Sequence, residues 1–439
     1  MRRCLIYTLL VFSNPAGMCV THADALDSIE TRIAQHVDQR QAQMLATLEQ
    51  VVNINSGSLN FAGVRAVGDR FRSEFDELGF RTTWIDGAPF GRAGHLVAEH
   101  GDGGVHLLLI GHLDTVFEPD SPFQKFERIS ATSARGPGST DMKGGNVIIL
   151  EAARALRSAG VLEAMRLTVV LIGDEESSGR PLGLARAALV EAAEAADVAL
   201  GFEDGDGNPG TAVIARRGYS GWRLEVTGTP SHSSQIFSKA VGSGAIFEAS
   251  RILNGFHDTL TGERYLTFNP GLVLGGTSVD FDAAKSRGGA FGKANVVPER
   301  VVVTGDLRTI SAEQREGAKE RMHAIVAAHL PGTSAEIVFS DGYPPLAPTE
   351  GNRRLLGIYD QVSRDLGFGA VAAVDPGAAG AADISFTAGL VDMALDGLGL
   401  MGGGGHTVNE TADLTTLPSQ TKRAAVLMYR LSQLQSASR

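Results

Sequence analysis

Val105-His106-Leu107-Leu108-Leu109-Ile110-Gly111-His112-Leu113-Asp114 is a short apolar run that ends on a histidine and an aspartate. Glycines at 101, 103, 104 and 111 bound it, so it reads as a strand buried on both faces. The same grammar recurs twice. Leu171-Ile172-Gly173-Asp174-Glu175-Glu176 closes an apolar run that starts at Leu167, and Ala199-Leu200-Gly201-Phe202-Glu203-Asp204 closes a third. A helix fits residues 145–157 between the first two. Alternation of strand and helix predicts an α/β fold, a mostly parallel sheet with helices on both faces. Ligands of such open sheets sit at the carboxyl ends of the strands, so the three polar termini converge on one crevice.

Outward from this frame the pattern changes. Residues 26–54 carry apolar positions at helical spacing and predict one amphipathic helix. After Arg217, strands fit 222–226, 265–274, 300–308 and 335–339, and helices fit 243–256 and 312–329. That order is β-α-β-β-α-β, the ferredoxin-like arrangement, with residues 281–293 as a loop between its middle strands. The expected organisation is therefore a larger domain in two pieces, 26–217 and 342–439, interrupted by a small α+β domain at 218–341.

The first residues form a separate unit. Met1-Arg2-Arg3 is positive, Cys4 to Phe12 is apolar but too short for a bilayer, and Ala23-Asp24-Ala25 offers a small-x-small cleavage site. Residues 1–25 are expected to be a secretory signal peptide, and the protein to be exported, periplasmic or secreted. Cleavage removes Cys4 and Cys19, the only two cysteines. A metal site in the mature chain must then use His, Asp and Glu. No later apolar run has the length of a membrane span, so no membrane association is expected after cleavage. Across 439 residues the formal net charge is −11, which argues against a nucleic-acid partner.

The remaining polar signals fall around the strand ends. Gly136-Pro137-Gly138-Ser139-Thr140-Asp141-Met142-Lys143-Gly144-Gly145 is a glycine-bounded loop leading into a helix. It lacks the Gly-Lys-Ser/Thr of a phosphate loop and the spacing of a dinucleotide fingerprint. Gly402-Gly403-Gly404-Gly405-His406 sets a histidine on tight backbone near the end. A His-x-Asp triplet, or paired glutamates after a strand, carries little weight alone. The order of all five at strand ends carries the argument.

Together with Phe202-Glu203, Pro230-Ser231-His232 and Asn295, these segments resemble the M20 metallopeptidases, most of all their glutamate carboxypeptidase branch. The resemblance spans residues 30–435. It implies the zinc-exopeptidase fold with an inserted lid and dimerisation domain, and hydrolysis of a peptide or amide bond at a dizinc centre. Asp141 would bridge the metals. His112 and Glu203 would complete one ligand set, and Glu176 and His406 the other. Asp204 competes with Glu203, but the pattern sets the ligand directly after Phe202. Glu175 would be the general base and then the proton donor, and Asp114 would hold His112 through its other ring nitrogen. Zinc suits such a cysteine-free donor set, and Co²⁺ is another ion it accepts. His232, Arg308 and Asn295 would bind substrate from the inserted domain. His232 would act on the carbonyl in a partner subunit's site, and Arg308 would grip a carboxylate with its planar fork.

The expected activity is release of a C-terminal residue, glutamate in that branch, from a small peptide or N-acyl amino acid, by a homodimer joined through the inserted domain. An aminoacylase or dipeptidase of the same fold is the enzymatic alternative. An exported binding protein that has lost its metals is the alternative of another class.

Overall fold

The computed structural model describes residues 26–434. Its largest sheet has six strands in the spatial order Arg81–Asp86, Gly94–His100, Arg166–Ile172, His106–His112, Val198–Gly201 and Met393–Leu395. The last four are mutually parallel, while Gly94–His100 pairs antiparallel on both its sides. The His112 strand is central and buried along its whole length. Period-two alternation divides its side chains between two cores. Leu107 and Leu109 face one layer, with Val147, Leu150 and Leu427. Leu108 and Ile110 face another, with Leu189 and Ala193.

A second, four-stranded antiparallel sheet begins at Gly218 and ends at Asp341. Its spatial order is Thr267–Gly276, Arg300–Thr309, Gly218–Gly228, Thr333–Asp341. Helices Ala245–Leu260 and Ala312–Ala327 close its own apolar core, where Trp222, Leu224, Val301 and Val303 meet Ile252, Phe256 and Met322. The chain order is β-α-β-β-α-β, as the pattern predicts.

Three expectations need correction. The single helix over 26–54 is two, Ser28–Gln39 and Gln41–Val52. Arg40 leaves helical geometry between them (φ −106°, ψ 5°), and its guanidinium pairs with the buried Glu151 carboxylate at 2.6 Å. Apolar spacing continues across the break and hides it. Residues 281–293 are no simple loop. Ser278–Asp282 and Arg287–Phe291 form a hairpin, turned where the Asp282 side chain accepts from the Ala284 and Lys285 amides. The helix Phe61–Glu77, the antiparallel strands Arg81–Asp86 and Gly94–His100 and the short Met393 strand are not predicted by the pattern. The signal-peptide reading of 1–25 lies outside the described residues. Among the described residues no helix is long and apolar enough to cross a membrane.

Candidate metal centre

The three strand ends converge. His112 is the last residue of its strand, fully packed, with its carbonyl accepting from Asn146 Nδ2 at 2.6 Å. Asp141 comes from the glycine-bounded loop. That loop opens at Gly138 in the left-handed region (φ +73°), and its following helix packs so closely that a Cβ on Gly145 would lie 2.0 Å from the Phe202 carbonyl oxygen. Glu203 follows the Val198–Gly201 strand, and its backbone N–H reaches Asp396, whose other oxygen is paired with Arg216 at 2.8 Å. His406 itself sits at φ +60°, rare for a residue with a Cβ, in a turn closed by the Thr407 amide on the Gly404 carbonyl.

Two ligand groups result: His112, Asp141 and Glu203, and Asp141, Glu176 and His406, with each group's ligand atoms within 4.8 Å of one another. His112 Nε2 lies 2.9 Å from Asp141 Oδ1 and 3.7 Å from Glu203 Oε1. His406 Nε2 lies 2.9 Å from Asp141 Oδ2 and 3.1 Å from Glu176 Oε2. One carboxylate thus offers a separate oxygen to each group. Asp204, the competitor of Glu203, joins neither, and burial beside Asp141 and Glu410 raises its carboxyl to about 7.

Asp114 is fully buried, and its role is broader than the sequence suggests. His112 Nδ1 meets the Asp114 carbonyl oxygen at 3.0 Å and its carboxylate at 3.4 Å. That carboxylate accepts from Ser58 Oγ at 2.6 Å and from the amides of Glu175 and Glu176 at 3.0 and 3.1 Å. One side chain therefore orients a ligand and fixes the turn that carries both glutamates.

Electrostatics test whether cations fit here. Burial and the Asp383 carboxylate push Glu175 well above its ordinary value. Burial does the same to Glu203, with Asp141 and Glu175 adding to it. His112 would be lowered by burial, but the carboxylates of Glu203, Asp114 and Asp141 outweigh that and raise it. Hydrogen bonds to Asp141 and Glu176 raise His406 to about 11. Against burial, both histidines hold Asp141 below its usual range. Such a crowd of anions keeps extra protons unless positive charge replaces them. Glu176 Oε1 is buried and has no hydrogen-bond partner. The donor set, the shared Asp141 and this orphaned oxygen all fit a pair of divalent cations.

The substrate-binding candidates lie apart on the insert. His232 and Asn295 share a corner, where the Ser233 amide donates to the Asn295 carbonyl at 2.9 Å and His232 bridges to Val296. His232 is exposed, with Nδ1 on the Ser234 hydroxyl at 2.8 Å. Arg308 is the penultimate residue of its strand, lies 4.8 Å over the Tyr219 ring and donates through Nε to Asp306 at 3.0 Å. Among the described residues no hydrogen bond occupies its terminal nitrogens. The structure brings none of these three into contact with the metal cluster.

Several residues of the site were not found from sequence. Arg186, buried behind the glutamates, binds Asp174 at 2.6 Å, Asp383 at 2.7 Å and Tyr343 Oη at 2.6 Å, and Tyr343 Oη reaches the Glu175 carbonyl at 3.2 Å. Asp396 and Glu410 brace the ligand-bearing loops in a similar way. Each has a partner across a long sequence separation, which leaves no local signal.

The sequence profile of peptidase family M20/M25/M40 matches residues 108–431. Carboxypeptidase G2 of Pseudomonas sp. (strain RS-16) is 26% identical over 404 residues, covering 90% of this chain and 91% of that one. Among solved structures, the aminopeptidase PepT of Bacillus cereus superposes with a TM-score of 0.69 at 17% identity, over 90% of this chain and 99% of its own. The YXEP protein of Bacillus subtilis, described as a dinuclear metal binding peptidase from the M20 family, gives 0.63 at 16%, over 90% and 100%. With that profile matched over most of the chain, the protein belongs to peptidase family M20/M25/M40 and is a metallohydrolase.

Proposed function

We propose that the protein is a dizinc exopeptidase that hydrolyses the amide bond to a C-terminal amino acid, with glutamate the first candidate, in a small peptide or N-acyl amino acid. The observation that carries this reading is the Asp141 carboxylate shared between two ligand groups, with the Glu175 carboxylate beside them and in neither. His112, Asp141 and Glu203 would hold one zinc ion and Asp141, Glu176 and His406 the other. Two such cations supply Lewis acidity to a carbonyl and lower the pKa of water. Glu175 removes a proton from the attacking water and returns it to the leaving nitrogen. Burial raises its carboxyl, which strengthens it as an acceptor for the water proton.

Arg308 supplies the carboxylate grip, through the terminal nitrogens that the protein leaves open. Losing one partner of a buried charge pair costs about 2–5 kcal/mol, so Arg308→Ala should cut kcat/KM on N-acyl amino acids by about 30- to several-thousandfold. The matching amides lack that carboxylate and should respond little. An equal loss on both substrates removes Arg308 from substrate recognition. A panel of N-acyl amino acids run alongside tests the side-chain preference.

A second copy of the chain fits the insert. Phe237, Ile246, Phe247 and Val273 are exposed there, and the tilted rings of Phe237 and Phe247 meet at 5.7 Å. The strand Thr267–Gly276 is an edge of its sheet. An apolar patch beside an open edge suits a protein partner. In such a dimer His232, through its free Nε2, polarises the carbonyl in the neighbouring site. Mixing inactive His232→Ala with inactive Glu175→Gln subunits should then restore activity, since one site of the mixed dimer keeps both groups. No recovery after demonstrated subunit exchange rules out action across the dimer.

A further inference from the structure

Glu410 lies four residues beyond His406, with no solvent exposure. Its carboxylate accepts from the backbone of a loop some 270 positions earlier. The Gly138 amide donates to Oε2 at 2.9 Å, and the Thr140 and Asp141 amides donate to Oε1 at 2.8 and 3.4 Å. The hydroxyls of Ser139 and Thr140 add bonds to Oε1, both at 3.3 Å. Three N–H groups of one loop thus converge on a single anion. Among the described residues no cationic side chain hydrogen-bonds to this carboxylate. An anion buried beside the carboxylates of Asp141 and Asp204 is costly, and its five donors offset that cost. The loop's left-handed opening at Gly138 turns these amides onto one point.

We propose that Glu410 is a positioning residue that clasps the Asp141 loop to the His406 loop, so that Asp141 presents one oxygen to each ligand group and the two metal sites assemble as a unit. The two loops lie some 270 positions apart, and the Glu410 side chain ties the backbone of the first to the second. A neutral amide cannot replace it, because its NH₂ group would face amide donors. The inference rests on the dinuclear reading above.

The test uses the full mature chain, stripped of metal, with Co²⁺ as the probe. Affinity is read by competition with a chromophoric chelator, geometry by the visible cobalt spectrum, and stability by Tm. Residues that orient metal ligands are worth about 10- to 100-fold in metal affinity. Glu410→Gln should therefore weaken both cobalt ions by about that factor and alter the spectrum. The control is Glu248→Gln in the inserted domain, where another buried carboxylate accepts a backbone amide, that of Leu330 at 3.0 Å. It should lower Tm and leave cobalt binding unchanged. Should Glu410→Gln fail to fold, Thr140→Val removes one hydroxyl donor and should weaken cobalt by about two- to tenfold. Wild-type affinity and spectrum in Glu410→Gln, or in Thr140→Val where the first does not fold, overturn the proposal. A wild-type chain that binds no cobalt overturns the dinuclear reading instead.

Discussion

Glu175→Gln should keep two metal equivalents while kcat falls about a hundredfold or more, the usual scale of general acid–base catalysis. The substitution preserves shape. Its backbone amide stays on Asp114 and its carbonyl stays under the Tyr343 hydroxyl, so the turn should not move. What is lost is the proton acceptor beside the two ligand groups. Glu176→Gln should do the opposite, losing metal because Glu176 Oε2 sits 3.1 Å from His406 Nε2 within a ligand group. Metal analysis and steady-state kinetics of the two variants decide the matter. If Glu175→Gln sheds metal and Glu176→Gln retains it, the assigned roles are reversed.

The largest effect on stability should come from Arg186→Met. The guanidinium is 1% exposed and lies between the Asp174 and Asp383 carboxylates. Removing one member of such a buried network strands the others, at about 3–5 kcal/mol. The sign with pH follows from Asp383. Burial already raises its carboxyl, and Arg186 is the main force holding it down. Without Arg186 the folded value rises further above the unfolded one, so the folded state binds the extra proton. Stability should recover as pH falls through that raised folded value and stop recovering below the ordinary value of 3.8. Urea unfolding at several pH values measures this. A deficit under 1 kcal/mol, or one that grows as pH falls, contradicts the account. Because Arg186 also meets Tyr343 and the Asp174 carbonyl, kcat should fall as well.

The sequence made the frame legible because strand and ligand share one local signature, an apolar run that stops on His or Glu. His112, Glu176 and Glu203 could be placed on strand ends from the pattern alone. Asp141 and His406 were legible through their glycines, which mark backbone that turns sharply, and the family resemblance turned five separate signals into one site. The inserted domain was legible because its four main strands and two helices each keep their own period. Arg40 was not, since apolar spacing runs across it while its side chain turns to Glu151 on another helix. Glu410, Asp396 and Arg186 were hidden for a different reason. Each is an ordinary charged residue with at least one partner 180 to 272 positions away, and only the fold makes these pairs neighbours. The contribution proposed for the insert is legible as residue types, Arg308 and His232, whereas an approach of either to the metal cluster would depend on domain and subunit geometry that no local pattern encodes.

The central claim is that the strand-end cluster holds two zinc ions that the reaction requires. Elemental analysis of the purified protein, paired with activity before and after chelation, tests it most directly. The account predicts about two zinc equivalents per chain, loss of hydrolysis on chelation and recovery on adding zinc back. A preparation free of metal and fully active would contradict it.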